Sequence, residues 1–343
     1  CGPKDFGQTT AIPGVYHAKF GRHVCRLFKV LQTNVCHNNC RYCAFRQDRD
    51  CRRTSAAPEE MAKAFQSAYS RRLVEGLFLS SGVAGTPDAT MTKMIDTVYI
   101  LRNQYRYGGY IHLKIMPGSS SDCIREAARL ANRISLNIES PTEESLARLS
   151  PDKNLKAGFF YTLSLIKKEL FKFRLAGRKV PSVTTQFVVG AADEKDAEII
   201  KATHFLYKNF ALKRVFYSAF RPVPQTPLEN KPAVSLGREH RLYQTDFLMR
   251  FYRFLPWEIP LDKNGFLPET ADPKLLWAKL NPQFFPVNFN QADYWRLLRV
   301  PGVGPDSAKK IMQIRKQNKI YSLSRLEHCR LQIKKLSPFV DFS

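Results

Sequence analysis

The feature that most constrains the fold is a regular alternation of strand-like and helix-like segments through the first three quarters of the chain. Short apolar runs such as "EGLFLSSGV" are followed by amphipathic stretches such as "TMTKMIDTVYILRNQY". Six such units occur in succession, and strands that are connected through helices pair in parallel with right-handed crossovers. We therefore predict an α/β fold with an incomplete barrel of six parallel strands.

The alternation ends near residue 255, which predicts a boundary between domains. We predict a barrel with an N-terminal extension over residues 1–255, a linker packed on the barrel over residues 256–289, and a helical domain over residues 290–343. The linker is rich in Pro and Asn, with one short helix expected near Lys274 to Leu280. An apolar content of 44% is enough for a packed core.

Three cysteines lie just after the first predicted strand, in the stretch "TNVCHNNCRYCAF". Cys36, Cys40 and Cys43 have the spacing C-x3-C-x2-C, and chemistry in such folds occurs at the C-terminal ends of strands. Three thiolates can bind three irons of a 4Fe-4S cluster and leave the fourth iron for a small molecule. A zinc site completed by His37 or Cys51 is the alternative, although no second C-x2-C knuckle is present.

This loop, with the aromatic Tyr42 before its last cysteine, resembles that of the radical S-adenosylmethionine (radical SAM) superfamily. In that superfamily the free iron of a 4Fe-4S cluster holds S-adenosyl-L-methionine, and reductive cleavage yields a 5′-deoxyadenosyl radical. The resemblance implies that Cys36, Cys40 and Cys43 are metal ligands. It also implies both cofactors and an external electron donor, since the cofactor carries the difficult chemistry.

The later strand ends carry residues at positions where members of the superfamily bind the cofactor. The resemblance implies that the turn after the second strand contacts the methionine amino group, although the usual Gly-Gly-Glu is absent here. It implies ribose contacts from the fourth strand, adenine near Gly190, and Lys114 as partner of the methionine carboxylate. The cofactor-binding candidates are Tyr42, Ser80, Ser81, Gly82, Lys114, Ser135, Asn137, Glu139 and Gly190.

Near the C-terminus, the stretch "LLRVPGVGPDSAKKI" places two glycines between two predicted helices and resembles a helix-hairpin-helix motif. Gly302 and Gly304 can adopt positive φ and expose backbone N–H groups. Those groups and the N-terminus of the next helix form a phosphate site, which positions nucleic acid without reading its bases. The DNA-binding candidates are Arg299, Gly302, Val303, Gly304, Ser307, Lys309 and Lys310. A second turn is expected near "NKIYSLSRLEHC".

The charge of the chain also predicts a polyanionic partner. Lys and Arg number 54 against 30 Asp and Glu, a net charge of +24 that is spread along the chain. A field of that sign attracts phosphates, so we predict nucleic acid as the partner. The resemblance to a helix-hairpin-helix favours duplex DNA, bound through its backbone without sequence specificity.

Together, the two motifs are similar to a family of radical SAM proteins associated with DNA modification or repair, over nearly the whole chain. The resemblance implies a partial (β/α)6 TIM-type radical SAM barrel, a small all-α helix-hairpin-helix domain, and an enzyme that modifies or repairs DNA. Members are often encoded beside a uracil-DNA-glycosylase-like protein, which implies a partner. Two alternatives stay open: a radical SAM enzyme that modifies RNA or tRNA, and a DNA-binding iron–sulfur adaptor acting with such a partner.

Cys25, Tyr217 and Arg221 are the candidate catalytic residues. Cys25 precedes the first predicted strand and is a candidate hydrogen donor, whereas Tyr217 and Arg221 alternate on the sixth strand. No run of about 18 apolar residues occurs and no secretory signal is evident, so we expect a cytoplasmic, nucleoid-associated protein without a membrane span. The sequence begins at Cys1 rather than Met, and we expect a trimmed N-terminus.

Overall fold

The computed structural model describes residues 6–9, 14–20, 23–329, 331 and 333–343. Its contacts divide the chain into two compact units. Unit 1 comprises the described residues of Cys1–Glu194 and Phe205–Leu236, and unit 2 comprises those of Lys195–His204 and Gly237–Ser343. The predicted domain boundaries at residues 255 and 290 stay predictions.

Unit 1 is built on an eight-stranded sheet whose strands follow one another in chain order. The strands are β1 (Phe6–Thr9), β2 (Val15–Phe20), β3 (His23–Leu31), β4 (Gly76–Ser80), β5 (Tyr110–Lys114), β6 (Arg133–Ser135), β7 (Ser182–Val189) and β8 (Arg214–Ala219). Strands β3 to β8 pair in parallel, which confirms the predicted partial barrel. Strands β1 and β2 extend the edge in antiparallel pairing, and this extension was not predicted.

Helices connect the parallel strands of unit 1. They are α1 (Pro58–Ser70), α2 (Pro87–Asn103), α3 (Ser121–Leu130), α4 (Glu143–Leu149), α5 (Tyr161–Leu175) and, after β7, α6 (Asp196–Phe210), which both units share. The hydroxyls of Thr86, Ser120 and Thr142 cap the N-termini of α2, α3 and α4. Such caps satisfy N–H groups that have no partner inside a helix, so they fix where each helix begins.

The alternation of side chains along the strands separates a helix-covered face from a concave face. Leu77, Leu79 and Ile111 are fully buried on the helix-covered face. Phe28, which pairs with Leu77 in the sheet, contacts Phe65 of α1 and thereby identifies that face. The residues between them along each strand point to the concave face, where polar side chains collect.

Unit 2 is mainly helical. Its elements are α7 (Leu236–Tyr252), α8 (Pro273–Leu280), β9 (Val287–Asn288), α9 (Tyr294–Arg299), α10 (Pro305–Gln317), α11 (Ile333–Leu336) and β10 (Val340–Asp341). The short helix expected inside the predicted linker is present as α8. Val287 and Phe289 lie in the same apolar core as Leu297 and Ile311. In the described ranges, no helix has the length and apolar character needed to cross a membrane.

Candidate active site and nucleic-acid interface

The three predicted ligands lie on the loop after β3, at the carboxyl end of the parallel strands. Cys40 is buried, Cys36 and Cys43 are half-buried, and all three are free thiols. The Val83 N–H donates to Cys36 Sγ over 3.5 Å, and the Phe45 N–H donates to Cys43 Sγ over 3.4 Å. Burial raises the pKa of the Cys43 thiol, and the hydrogen bond from the Phe45 N–H opposes that shift. The thiolate is the form that binds iron.

The arrangement differs from that of a site for one metal ion. Among the described residues, no three His, Cys, Asp or Glu side chains converge as they would around a single ion. A 4Fe-4S cube takes one thiolate on each of three irons, so its ligands need not converge on one point.

The turn after β4 packs directly on the cysteine loop. The Gly82 N–H donates to the Thr33 carbonyl over 2.7 Å, and the His37 N–H donates to the Val83 carbonyl over 2.9 Å. A Cβ on Gly82 would lie 2.9 Å from the Val35 carbonyl carbon and closer still to its oxygen. Only glycine therefore allows this approach of the two backbones.

Ser81, in the same turn, has a buried hydroxyl with no hydrogen-bond partner among the described residues. A buried polar atom without a partner costs about 1–3 kcal/mol, so a ligand group is expected to satisfy it. The orphan hydroxyl, the close glycine turn and the three free thiols fit S-adenosyl-L-methionine and a 4Fe-4S cluster.

A second segment, residues 149–153, holds the cysteine loop from the other side and was not predicted from the sequence. Ser150 Oγ lies 3.0 Å from Cys40 Sγ, within hydrogen-bonding distance. The Asn39 N–H donates to the Asp152 carboxylate over 2.5 Å. These contacts join residues about 110 positions apart, so the ligand loop is fixed by tertiary packing.

Three interacting titratable side chains lie beside the thiols: Glu139, Tyr42 and Lys153. Glu139 is buried with a φ of +69°, a conformation that costs a residue other than glycine about 1–3 kcal/mol and is common at functional sites. Burial and the adjacent Glu139 carboxylate, which is hydrogen-bonded to the Tyr42 hydroxyl, raise the pKa of Tyr42 well above its usual value. Burial lowers the pKa of Lys153, but attraction to Cys40 and Glu139 outweighs it and the net pKa is raised.

Arg53 organises the cysteine loop from within. Its guanidinium donates hydrogen bonds to five main-chain carbonyls, those of Asn34, Phe45, Arg46, Gln47 and Arg49. A planar guanidinium has five N–H donors in a fixed fork, whereas a lysine ammonium has three. The identity of this arginine therefore matters as well as its charge.

Replacing Arg53 with lysine is expected to lower the free energy of unfolding by about 1–3 kcal/mol, because several loop carbonyls lose their donor. The measurement is urea unfolding of the cluster-free protein, followed by iron content after anaerobic reconstitution. Arg52 is exposed and is the matched control, since Arg52→Lys should change neither quantity. Equal stability of the two variants would contradict the role of Arg53.

The remaining cofactor-binding candidates lie on the concave face or at the strand ends. Gly190 has a φ of +80°, and the buried Glu194 carboxylate accepts hydrogen bonds from the Gly190 and Ala192 N–H groups. Glu194 was not predicted from the sequence, and it fixes the turn in which Gly190 lies. The Ser135 hydroxyl lies 2.8 Å from Nε2 of buried His112, so it already has a partner. Asn137 is half-buried just beyond β6.

The structure separates the three catalytic candidates. Cys25 lies six residues before the end of β3, roughly 20 Å from the cysteine loop at a rise of about 3.3 Å per residue. Tyr217 is 3% exposed and lies on the helix-covered face. Arg221 is exposed beyond β8, at the end where Arg49 Nε donates to the Pro224 carbonyl. Of the three, only Arg221 lies at the end that carries the cysteine loop.

In unit 2, the predicted hairpin joins α9 to α10. Gly302 has a φ of +84°, which favours glycine, and Gly304 is the N-cap residue of α10. Lys309 and Lys310 are exposed on α10. The Val303 N–H, between the two glycines, donates to the Val300 carbonyl over 3.1 Å. Phosphate binding at this turn stays a prediction.

Two of the predicted DNA contacts have structural partners instead. The Arg299 guanidinium donates to Glu258 over 2.5 Å and lies 3.9 Å from the centroid of the Phe254 ring. The Ser307 hydroxyl is buried and donates to the Cys329 carbonyl over 2.7 Å. Both side chains support the hairpin from inside unit 2, and their contact with DNA stays a prediction.

A buried lysine supports the same hairpin and was not predicted from the sequence. Lys274 of α8 is 7% exposed, and its Nζ donates to the Val303 carbonyl over 2.6 Å. The ammonium lies 4.5 Å from the centroid of the Tyr252 ring. Burial lowers the pKa of Lys274 to about 7; the Asp272 carboxylate opposes this shift and Arg299 adds to it.

This lowered pKa predicts a pH dependence of stability. The ordinary pKa is 10.5, so between about pH 7 and pH 10 the unfolded chain binds more protons than the folded chain. The free energy of unfolding of the wild type should therefore rise with pH over that window. The rise should exceed that of Lys274→Met by about 2–4 kcal/mol. Denaturant unfolding of both proteins at several pH values measures the difference. Parallel pH profiles would contradict the shift.

Comparisons with known proteins agree with both parts of the chain. The family described as the Radical SAM superfamily matches residues 30–206. The helix-hairpin-helix motif matches residues 283–330, which include the hairpin between α9 and α10. The predicted resemblance to these two families is confirmed.

Individual relatives share little sequence identity with this chain. The chain is 26% identical over 255 residues to 7,8-didemethyl-8-hydroxy-5-deazariboflavin synthase of Methanosarcina barkeri (strain Fusaro / DSM 804), covering 72% of this chain and 74% of that protein. The hydrogenase maturase HydG from Carboxydothermus hydrogenoformans aligns with a TM-score of 0.50 at 16% identity, over 65% of this chain and 51% of HydG. Methylornithine synthase (PylB) aligns with a TM-score of 0.51 at 15% identity, over 65% and 61%.

The two structural likenesses show the shared fold, and this chain spans only about half to three fifths of those two chains. The superfamily uses a 4Fe-4S cluster and S-adenosyl-L-methionine, and these are the cofactors of this protein. Because the superfamily match spans more than half of its residues, this chain belongs to the radical SAM superfamily.

Proposed function

We propose that this radical SAM enzyme modifies or repairs nucleic acid, with duplex DNA as its substrate. The observation that carries the proposal is a helix-hairpin-helix motif in the same chain as the radical SAM barrel. The net charge of +24 supports it, because such a field attracts polyanions. An external electron donor, a uracil-DNA-glycosylase-like partner and association with the nucleoid are part of the same proposal.

In the barrel, Cys36, Cys40 and Cys43 would hold the cluster, while Ser81 and Gly82 would contact the methionine end of S-adenosyl-L-methionine. With one electron from the external donor, these cofactors when bound would supply a 5′-deoxyadenosyl radical for hydrogen abstraction from the substrate. The protein residues around them do the positioning. Arg53 and the segment 149–153 fix the loop geometry, and Lys153 places a positive charge beside the thiolates.

In the helix-hairpin-helix, the backbone N–H groups near Gly302 and Gly304 would bind one phosphate, together with the N-terminus of α10. Lys309 and Lys310 would contact neighbouring phosphates. Contacts of this kind are independent of base sequence and weaken as salt rises, because binding releases condensed counterions.

The binding part of the proposal is tested by fluorescence anisotropy with a duplex DNA and a structured RNA of equal length at fixed salt. We expect preference for the duplex, and binding about tenfold weaker for the double variant Lys309→Gln/Lys310→Gln. Lys316→Gln is the matched control, because Lys316 is exposed at the other end of the same helix. Preference for the RNA would overturn DNA as the substrate and favour the RNA-modifying alternative.

The chemical part is tested by anaerobic reconstitution with S-adenosyl-L-methionine and a reductant. We expect duplex DNA to stimulate 5′-deoxyadenosine formation. We also expect mass spectrometry of the nucleosides from the treated DNA to show one nucleoside with a changed mass. If DNA binds but neither change occurs, the adaptor alternative replaces the enzyme.

A further inference from the structure

One row of the concave face of the barrel collects cationic side chains. The register pairs Lys29 of β3 with Phe78 of β4, and Phe78 with His112 of β5. His112 pairs in turn with Arg133 of β6. Paired residues of neighbouring strands point to the same face of a sheet. The opposite face, which holds Leu77, is covered by helices, so this row lines the concave side.

Lys29 and Arg133 lie on either side of His112 in this row, and Lys114 lies two residues after His112 on β5. Burial lowers the pKa of His112 well below its usual value, and Arg133, Lys114 and Lys29 lower it further. Burial also lowers the pKa of Lys29, and Lys114 adds to that effect. Every charged group that acts on His112 is therefore a cation.

No carboxylate of the described residues forms a salt bridge with any of these three cations. Charges of one sign at close range repel one another unless an anion lies between them. Lys29 keeps contact with solvent although protein atoms surround much of its side chain, and Lys114 and Arg133 are half-buried. An anion from outside can therefore reach them. Within the described ranges, the face therefore carries three positive charges without a salt-bridged counter-charge.

Neighbouring side chains hold these cations in place. The Phe78 and His112 rings stack at 4.2 Å between centroids with an interplanar angle of 5°. Lys29 Nζ lies 5.1 Å from the centroid of the Tyr16 ring. Arg133 Nε donates to the Ser182 hydroxyl over 3.0 Å, which leaves its remaining N–H groups for a ligand. Lys29 and Arg133 are therefore held in defined positions by their neighbours.

We propose that Lys29 and Arg133 form an anion site on the concave face that binds a phosphate group of the substrate, next to Lys114, whose expected partner is the methionine carboxylate. A phosphate monoester carries up to two negative charges and three acceptor oxygens, which suits an ammonium and a guanidinium that both donate N–H groups. The inference goes beyond the proposed function because it concerns the barrel alone. It holds whether the phosphate belongs to the end of a nucleic acid strand or to a free nucleotide.

The site is tested by calorimetric binding to the reconstituted full-length protein with S-adenosyl-L-methionine present. The probes are thymidine 5′-monophosphate against thymidine, and a 5′-phosphorylated DNA tetranucleotide against its unphosphorylated form. We expect at least one phosphorylated probe to bind about tenfold or more tightly than its counterpart. Lys29→Gln and Arg133→Gln should each remove most of that preference. Lys29→Arg, which keeps the positive charge, should retain it.

Lys63→Gln is the matched control, since Lys63 is exposed on α1 and should leave the preference unchanged. Circular dichroism and iron content check that each variant is folded and loaded. A preference for the mononucleotide identifies a free nucleotide as the source of the phosphate, and a preference for the tetranucleotide identifies a strand end. Either supports the site.

The inference is overturned if both pairs of probes bind equally, or if the preference survives in Lys29→Gln and Arg133→Gln. The Lys309→Gln/Lys310→Gln variant separates this result from the proposed function. That variant should lose affinity for duplex DNA and keep the phosphate preference of the barrel. If duplex binding fails but the phosphate preference of the barrel is present, the result contradicts the proposed function and leaves the anion site supported.

Discussion

Replacing Cys40 with alanine is expected to prevent assembly of the 4Fe-4S cluster and to reduce 5′-deoxyadenosine formation to background. The proposed site has only three protein ligands, so the loss of one leaves two irons without a thiolate. Cys40 is buried against Ser150, and no other cysteine of the loop can take its place without moving the backbone. Iron and sulfide analysis after anaerobic reconstitution, with chromatography of the nucleoside product, measures both losses.

Cys51→Ala provides the control for this result. Cys51 belongs to the same region, is half-buried, and its thiol contacts only the Ala44 carbonyl, at 3.8 Å, among the interactions described. We expect this variant to assemble a normal cluster and to cleave S-adenosyl-L-methionine. A loss as complete as that of Cys40→Ala would contradict the three-ligand assignment and restore Cys51 as a fourth ligand.

Replacing Gly82 with alanine is expected to destabilise the barrel and to weaken cofactor binding. The added methyl group would meet the Val35 carbonyl, and backbone atoms cannot rotate away as a side chain can. We expect the free energy of unfolding to fall by about 1–3 kcal/mol. We also expect weaker binding of S-adenosyl-L-methionine, because the turn that carries Ser81 must shift. Urea unfolding and calorimetric titration measure the two effects.

Gly108→Ala is the matched control for Gly82→Ala. A Cβ on Gly108 would meet no atom within 4 Å, and its φ does not lie in the left-handed region. We expect its stability to stay within about 0.5 kcal/mol of the wild type, as for most surface substitutions. If the two alanine variants were equally stable, the close approach at Gly82 would not constrain the fold.

Much of the fold could be predicted because its signals are local. The alternation of apolar runs and amphipathic stretches predicts parallel strands in chain order, and the structure confirms six of them. The glycine hairpin at Gly302 was predicted in the same way, from a short pattern with a direct conformational meaning. The antiparallel edge formed by β1 and β2 was not predicted, since short N-terminal strands carry little periodic signal.

It was harder to predict to which face of the sheet a strand residue points. Tyr217 and Arg221 were both catalytic candidates on the sixth predicted strand, but Tyr217 points to the helix-covered face. A shift of one residue in the strand assignment reverses every side chain, because the period of a strand is two. Cys25 was placed near the chemistry by its proximity in sequence, although a nine-residue strand carries it far from the cysteine loop.

The sequence alone determined which chemistry the chain carries, since the C-x3-C-x2-C spacing, the β–α succession and the hairpin glycines are all local patterns. Only the tertiary structure decided what surrounds those patterns. It brought Ser150 and Lys153 to the thiols, buried Lys274 beneath the hairpin, and gathered Lys29 and Arg133 on one face of the barrel. Contacts between residues far apart in the chain depend on how whole elements pack, and no local periodicity specifies that packing.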